Sequence, residues 1–309
     1  MGDILVGTCS WTDPELVRSG WYPAGSRDAE GRLRHYASRF PVVEVDSAYY
    51  ALPHERNSRL WVERTPEHFV FDVKAFAPLT GHPARRGALP RELRGASYDP
   101  RDAAFLDAVW ARFAEGIEPL RRHGRLGGVL FQFPPWFRPG ARAEAFLEEC
   151  AGRTAGRPVA VEFRHPGWWR EGRAEATAAL LRRYGFAAVG VDMAQTLPSS
   201  VPPVTPVTSP RLSVVRFHGR SPSWGTGSKE DRFRYEYADH ELEEWVPRLR
   251  SLAGSVERLH VLFNNCCGDA AVRAAARMRS LLERPVAASA FRTPRPAGRG
   301  GRPGPDGAR

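Results

Sequence analysis

Strand patterns recur eight times along this 309-residue chain, and helical patterns lie between most of them. The clearest helical pattern spans 103–122, where Phe105, Val109 and Phe113 recur four residues apart. Alternation of strands and helices predicts parallel strands joined by helical crossovers. The strand patterns occupy 4–9, 42–47, 69–75, 127–133, 159–164, 187–193, 212–218 and 259–264.

Eight strand–helix units in one chain predict an α/β protein whose single domain is a closed (β/α)8 TIM barrel. Such a barrel typically needs about 250 residues, which this chain provides. The alternative is a doubly wound open sheet, but the sequence has no G-x-G-x-x-G or G-x-x-x-x-G-K-[ST] loop. We therefore expect the barrel domain to occupy residues 1–285.

Two segments depart from the regular alternation. The stretch "TLPSSVPPVTPVTSP" at 196–210 stands where the sixth helix belongs, and its prolines exclude a helix because proline lacks the N–H that a helix needs. A Pro-rich loop is therefore predicted in place of the sixth helix. The second segment is 286–309, where Gly, Pro and Arg predict a disordered basic tail that cannot form a packed core.

The net charge of +10 is only a weak indication of nucleic-acid binding. Residues 291–309 hold five Arg and one Asp, so the tail contributes +4 of the net charge of +10. The remaining excess comes from Arg side chains scattered along helices, which is more typical of a solvated basic surface than of a nucleic-acid patch. Nucleic acid is therefore the less favoured partner, and a small molecule the more favoured one.

The sequence also argues against a membrane partner and a disulfide framework. No apolar run approaches the roughly 20 residues that a membrane-spanning helix needs. The four cysteines lack metal-binding spacing and the density of a disulfide scaffold. We expect a cytoplasmic protein with reduced thiols and no cofactor.

Seven of the eight strands end in polar residues that a buried strand would normally avoid. In a barrel the carboxyl ends of all strands meet at one mouth, where such folds keep their active sites. Because alternate side chains of a strand share a face, the polar residues nearest these ends predict a functional pocket. They are Glu44, Asp46, Lys74, Gln132, Glu162, Arg164, Asp192, Arg216, His218 and Asn264.

Carboxylates among these residues suggest acid–base chemistry. Glu162 is the first candidate, since apolar neighbours raise the pKa of a carboxyl while Arg164 and Lys74 would lower it. Paired carboxylates with a lysine are typical of proton transfer, isomerisation or glycosidic cleavage. The simpler interpretation of each residue is a structural ion pair or a hydrogen-bonded wall of the mouth. The candidate catalytic residues are Glu162, Glu44, Lys74, Asp192 and His218.

Cations and aromatic rings suggest how a substrate is held. Arg164 and Arg216 can grip a phosphate or carboxylate in a bidentate manner, and Lys74 adds a point charge. Glu44, Glu162, Asp192 and His218 are also metal-ligand types, but three cations in the same ring would repel a dication, so no metal is predicted. Besides Arg164 and Arg216, the candidate substrate-binding residues are Gln132, Asn264, Asp46, and the possible stacking rings Tyr49, Tyr50, Trp11 and Trp168.

Eight motifs in order resemble one known family, the YecE-like proteins or domain of unknown function 72, over about 4–282. The motifs are "VGTCSW", "FPVVEVDSAYYALP", "FVFDVKAFAPLTGH", "VLFQFPPWF", "VEFRHPGWW", "VVRFHGR", "YEYADHELEEW" and "LFNNCCGDAAVRAAARM". The resemblance implies a TIM barrel of the cytoplasm related to sugar isomerases, without implying a reaction. Asp46 stands where Asn is commoner in the family, and the "TGH" of 80–82 extends a shorter Thr-His.

These observations together predict an enzyme of the isomerase or hydrolase type that acts on a small, polar, anionic substrate such as a sugar or sugar phosphate. Two alternatives stay open. One is a protein that binds or processes nucleic acid, using the Arg excess and the mouth aromatics. The other is a barrel that binds a ligand without catalysis.

Deletion of residues 291–309 should leave folding intact, because this Gly/Pro/Arg segment has almost nothing to pack with. The free energy of unfolding of the shortened chain, measured by urea denaturation, should match that of the full chain. A shortened chain that does not fold, or loses most of its stability, would contradict the expectation.

Overall fold

Eight parallel strands form a closed barrel in which the chain order is also the order around the barrel. The computed structural model describes residues 2–94, 102–170, 172–225, 228–265 and 267–284. The strands are β1 (Asp3–Thr8), β2 (Val42–Val45), β3 (Val70–Lys74), β4 (Leu126–Phe133), β5 (Val159–Phe163), β6 (Ala187–Asp192), β7 (Leu212–Phe217) and β8 (Arg258–Phe263). Strand β1 closes the barrel on β8 with a register that runs from Asp3 opposite Arg258 to Thr8 opposite Phe263. The predicted TIM barrel is confirmed.

Helices follow most strands and form the outer layer. They are α1 (Pro14–Arg18), α2 (Ala29–Arg39), α3 (Glu55–Glu63), α4 (Ala103–Arg122), α5 (Ala141–Arg153), α6 (Ala174–Tyr184), α7 (Lys229–Phe233), α8 (Asp239–Ala253) and α9 (Ala270–Glu283). Residues 193–211, between β6 and β7, contain no helix, as the prolines of this segment predict. Within the described ranges, no helix is both long enough and apolar enough to cross a membrane.

Some of the expectations concern parts of the chain outside the described residues. The predicted disordered tail at 286–309 lies there, as does the last residue of the predicted barrel domain. The helical layer nevertheless reaches residue 283 at the end of α9.

Strand side chains are buried on both faces, which is why these segments are apolar almost throughout. Every residue of β2, β3, β5, β6 and β7 is buried. The outward face packs against helices: Phe217 of β7 lies 5.2 Å from Trp245 of α8 between ring centroids. The inward face carries several buried charged residues, among them Glu44, Glu162 and Arg216, so their charges must be neutralised inside the barrel.

One hydrogen-bonded pair crosses the barrel interior. His260 Nδ1 of β8 lies 2.9 Å from Asp72 Oδ2 of β3, and both residues are buried. Because β1 and β2 separate β3 from β8 in the barrel, this contact can only run through the interior. The glycines of β4 make room for it: a Cβ at Gly127 would lie 2.5 Å from Asp72 Oδ1 and 2.9 Å from His260 Cε1.

Gly127→Ala should therefore lower the free energy of unfolding, because the added methyl group has to displace the buried, hydrogen-bonded side chains of Asp72 and His260. Overpacking of this kind costs roughly 1–3 kcal/mol. A suitable control is Gly152→Ala in α5, where a Cβ meets no atom within 4 Å. Alanine there should stabilise by about 0.5–1 kcal/mol, as in other helix interiors. Urea denaturation that gives the two variants equal stability would show that Gly127 is not needed for space.

Candidate functional site

The side chain of Arg216, on β7, binds two carboxylates at the carboxyl end of the barrel. Its Nε and Nη2 donate to Glu44 Oε2 and Oε1 at 2.9 and 2.8 Å, and its Nη1 donates to Glu162 Oε2 at 2.6 Å. Nη1 also lies 3.1 Å from Gln132 Oε1. Glu44, Arg216 and Glu162 are all 0% exposed. We call these three residues the Arg216 triad.

Glu162 has further partners on its other oxygen. Its Oε1 accepts a hydrogen bond from Arg164 Nη1 at 2.8 Å and lies 3.1 Å from His218 Nε2. Burial alone would raise the pKa of Glu162, but the charge of Arg216, with support from His218 and Arg164, holds that pKa well below its ordinary value. Glu162 is therefore ionised at neutral pH.

His218 lies between Glu162 and the end of β8. Its Nδ1 is 3.0 Å from the side-chain amide of Asn264. Burial lowers the pKa of His218 to about 4, although the charge of Glu162 opposes this effect. The imidazole is therefore neutral at neutral pH, and it connects the triad to Asn264.

The pKa of Glu44 is displaced in the opposite direction from that of Glu162. Burial raises the pKa of Glu44 to about 7, and the charges of Arg216 and Lys74 only partly offset the burial. The Cys9 thiol, just after β1, lies 3.4 Å from Glu44 Oε2 and 3.6 Å from Arg216 Nη2. The triad thus holds one carboxyl ionised and leaves the other able to exchange a proton near neutral pH.

Lys74 and Asp46 form a second pair nearer the solvent. Lys74 Nζ donates to Asp46 Oδ1 at 2.7 Å and lies 4.7 Å from the ring centroid of Tyr49. Burial acts to lower the pKa of Lys74, but the charges of Asp46 and Glu44 and the hydrogen bond to Asp46 together outweigh it, so the pKa is raised. The side chains of Lys74, Arg164 and Asp46 are 8%, 15% and 26% exposed, so solvent reaches the charged residues here rather than at the triad.

The structure corrects the predicted position of Asp192. Its carboxylate does not join the triad but binds Arg220 Nη2, the hydroxyl of Tyr237 and Trp245 Nε1 of α8, each at 2.7 Å. Asp192 pairs in register with Phe217, which also packs on Trp245, so both side chains point toward the helical layer. Asp192 is therefore placed as a partner of Arg220 outside the barrel.

Two predicted stacking rings are core residues instead. Trp11 is 5% exposed and packs edge-on against Trp61 at 5.6 Å between centroids. Trp168 is 2% exposed, stacks on Phe163 at 4.1 Å and donates its Nε1 hydrogen to the backbone oxygen of Phe137. Neither ring presents a free face at the mouth, because each is covered by the apolar core.

The other predicted residues reach the mouth, together with Cys9, which sequence reasoning missed. Tyr49 lies beside Lys74, and Tyr50 is 49% exposed next to it. Trp224, an aromatic residue of the loop after β7, lies 5.4 Å from the Arg164 guanidinium. Cys9 contacts the triad but had no separate signal, because in the sequence it is an apolar residue at a strand end.

The described side chains include no group of three or more His, Cys, Asp or Glu arranged to hold a metal ion. The mouth carboxylates that could serve as metal ligands already bind Arg216 or Lys74. Chemically, the arrangement offers a carboxyl at Glu44 whose pKa is near neutrality and positive charges at Lys74 and Arg164.

Two isosteric variants test whether Glu44 and Glu162 differ in protonation at neutral pH. Glu162→Gln should lower the free energy of unfolding by about 3–5 kcal/mol at pH 7, because it leaves buried cations without their partner. Glu44→Gln should cost less, since glutamine resembles the protonated form that Glu44 adopts near pH 7. Both can be measured by urea denaturation.

The pH dependence gives a second measurement. Between pH 4.5, the ordinary pKa of Glu44, and about 7, its pKa in the folded protein, the folded state binds a proton that the unfolded chain releases. Stability should therefore fall as pH rises through this window, by up to about 3 kcal/mol. Glu44→Gln should lack this slope. Equal losses in both variants, or an unchanged slope, would contradict the different roles of the two carboxyls.

Comparisons with known proteins agree on the family. The family described as "Protein of unknown function DUF72" matches residues 5–298. The UPF0759 protein YunF of Bacillus subtilis (strain 168) is 34% identical over 286 residues, which cover 91% of this chain and 95% of YunF. The UPF0759 protein YecE of Escherichia coli (strain K12) is 27% identical over 176 residues, 56% of this chain and 53% of YecE.

Solved structures show the same barrel. A DUF72 family protein of Thermotoga maritima MSB8 is 29% identical, with a TM-score of 0.74 over 91% of this chain and 99% of that one. A DUF72 family protein of Enterococcus faecalis V583 has a TM-score of 0.77 at 24% identity, over 92% and 97% of the two chains, and supports the fold alone. The resemblance seen in the sequence motifs is confirmed: the chain belongs to the DUF72 family of proteins of unknown function.

Proposed function

We propose that this protein is an acid–base enzyme of the isomerase or hydrolase type, with a small, polar, anionic substrate such as a sugar or sugar phosphate. One observation carries the proposal: two buried carboxyls share Arg216, and their pKa values are displaced in opposite directions. Pairs of titratable groups held in different protonation states are typical of acid–base active sites. A purely structural ion pair has no need of this difference.

Glu44 is the proton-transfer residue in this proposal. A general acid or base works best when its pKa is close to the working pH, and burial raises the pKa of Glu44 to about 7. Glu162 has the complementary role, since it stays ionised and fixes Arg216, Arg164 and His218 in place. Lys74 can donate a hydrogen bond to a substrate oxygen on which charge develops.

The charges also support an anionic substrate. Three cations, Arg216, Arg164 and Lys74, face three carboxylates, Glu44, Glu162 and Asp46, so protonation of Glu44 leaves one positive charge in excess. An anion bound at Arg164 and Lys74 would neutralise that charge. Substrate binding and the proton on Glu44 are thereby linked.

No specific observation favours the nucleic-acid alternative to the same degree. Many Arg side chains of the helices bind carboxylates of the surface, including Arg34 with Glu30, Arg121 with Glu118 and Arg277 with Asp239. Such pairing leaves less positive charge for phosphates. The proposal includes no cofactor and no membrane partner, and the cytoplasm as the compartment rests on the family resemblance.

Proton transfer can be tested before the reaction is identified. Glucose 6-phosphate, fructose 6-phosphate and ribose 5-phosphate would be incubated with the protein in D2O, and NMR would follow both products and deuterium next to the carbonyl carbon. We expect exchange or turnover of at least one compound, with an apparent pKa near 7. Glu44→Gln should lower the rate by about 100-fold or more, the usual contribution of general acid–base catalysis.

Glu148→Gln is the matched control, because it makes the same chemical change on an exposed position of α5 and should leave the rate unchanged. Thermal melts with the same compounds separate the alternatives. A raised melting temperature without exchange or turnover would indicate a ligand-binding barrel without catalysis. Binding of oligonucleotides with a steep salt dependence, and of none of the sugar phosphates, would favour the nucleic-acid alternative.

A further inference from the structure

Four aromatic side chains form a continuous row along one side of the barrel mouth. Neighbouring ring centroids are 5.0 Å apart for Tyr50 and Tyr49, 5.3 Å for Tyr49 and His82, and 5.4 Å for His82 and Trp136. The four residues come from the segments after β2, β3 and β4. We call Tyr50, Tyr49, His82 and Trp136 the aromatic row. The segments after three consecutive strands thus contribute rings to one surface.

The two ends of the row face solvent. Trp136 is 62% exposed and Tyr50 is 49% exposed. In the part of the chain that the structure describes, the only other large hydrophobic side chain exposed to a comparable degree is Val17. Apolar ring surface gains free energy when it leaves water, so two exposed rings in one row are unfavourable for the free protein. Exposed apolar side chains that cluster in this way often mark a binding site.

The row is connected to the charged residues through Lys74. The Lys74 ammonium lies over the ring of Tyr49 and binds Asp46 at the same time. Burial, together with the charge of Lys74, lowers the pKa of His82 to about 4, so its imidazole is neutral. Nδ1 of His82 lies 2.8 Å from the Thr80 hydroxyl, which orients the ring between Tyr49 and Trp136. The aromatic row is thus an uncharged surface with a fixed orientation, and Lys74 lies beside it at Tyr49.

Among the described residues, the opposite side of the mouth offers no equivalent surface. One face of Trp224 is covered by the Arg164 guanidinium at 5.4 Å, and Trp224 makes a T-shaped contact with Phe233 at 5.4 Å between ring centroids. Trp224 therefore supports Arg164, whereas Trp136 has a face that a ligand can reach.

We propose that the aromatic row is a subsite for the ring of a ligand that carries a phosphate, with the phosphate at Lys74 and Arg164 and the ring against Trp136. Aromatic side chains bind flat ring surfaces, both the C–H face of a sugar and the face of a base. The substrate class is thereby narrowed to ring-bearing phosphates, in preference to inorganic or open-chain anions. This inference rests on the proposed function for the position of the anion.

Binding of three probes to the full chain tests the subsite: inorganic phosphate, glucose 6-phosphate and AMP, each titrated by calorimetry. Trp136→Ala should weaken the binding of at least one ring-bearing probe roughly three- to tenfold, the value of one aromatic contact, and leave phosphate binding unchanged. Trp136→Phe keeps a ring face and should retain most of the affinity. Lys74→Met should weaken the binding of all three probes.

The results distinguish a sugar ring from a base, and the ring subsite from the anion site. If Trp136→Ala loses affinity for glucose 6-phosphate alone, the subsite binds a sugar ring, and if it loses affinity for AMP alone, the subsite binds a base. Loss of affinity for both identifies a general ring subsite. If Trp136→Ala binds both ring-bearing probes as tightly as the parent while Lys74→Met does not, the subsite is overturned and the anion site stands. If the parent binds none of the three probes, the anion site fails and the subsite falls with it.

Discussion

The rest of the barrel mouth depends on one constraint, the neutralisation of Arg216 in the barrel interior. A guanidinium that is cut off from water is stable only when carboxylates and hydrogen-bond acceptors surround it. Glu44 from β2 and Glu162 from β5 supply that charge, and β2, β5 and β7 are not neighbours in the barrel. The ion pairs therefore act as cross-barrel ties. Because one arginine serves two carboxylates that differ in their other partners, the same contacts that hold the mouth together also separate the pKa values of Glu44 and Glu162.

The charged side chains become more exposed from the barrel interior toward the solvent. The Asp72–His260 pair and the Arg216 triad are buried inside the barrel, whereas the Lys74–Asp46 pair and Arg164 are partly accessible. The accessible layer therefore holds Lys74, Arg164 and the carboxylate of Asp46, whereas Glu44 lies deeper, in a site of low dielectric. The aromatic row extends the accessible end of this arrangement, so the part of the site that faces solvent combines a positive charge with ring surfaces.

Residues outside the barrel also determine the geometry of the mouth. Asp192 binds Arg220 and Tyr237, and the hydroxyl of Tyr237 accepts a hydrogen bond from the backbone N–H of Gly219 at 2.9 Å. Gly219 directly follows His218, and its φ of 90° is one that other residues rarely adopt. The network around Asp192 thus holds the backbone that carries His218 toward Glu162. Asp192 supports the site from the helical layer, although its carboxylate takes no part in the mouth.

The sequence by itself determined the eight-stranded barrel, the loop that replaces a helix between β6 and β7, and which strands end in charged residues. It could do so because strand periodicity and proline chemistry are local properties. Only the tertiary structure decided which way several of these residues point. Alternation relates the side chains of one strand to each other, but the face that turns inward is set by register against the neighbouring strands, which is why Asp192 lies outward opposite Phe217. The contacts of Cys9 and His82, and the separation of the Glu44 and Glu162 pKa values, depend on distances between residues far apart in the chain. Burial and charge at such distances arise only when the barrel closes, so no local pattern could have revealed them.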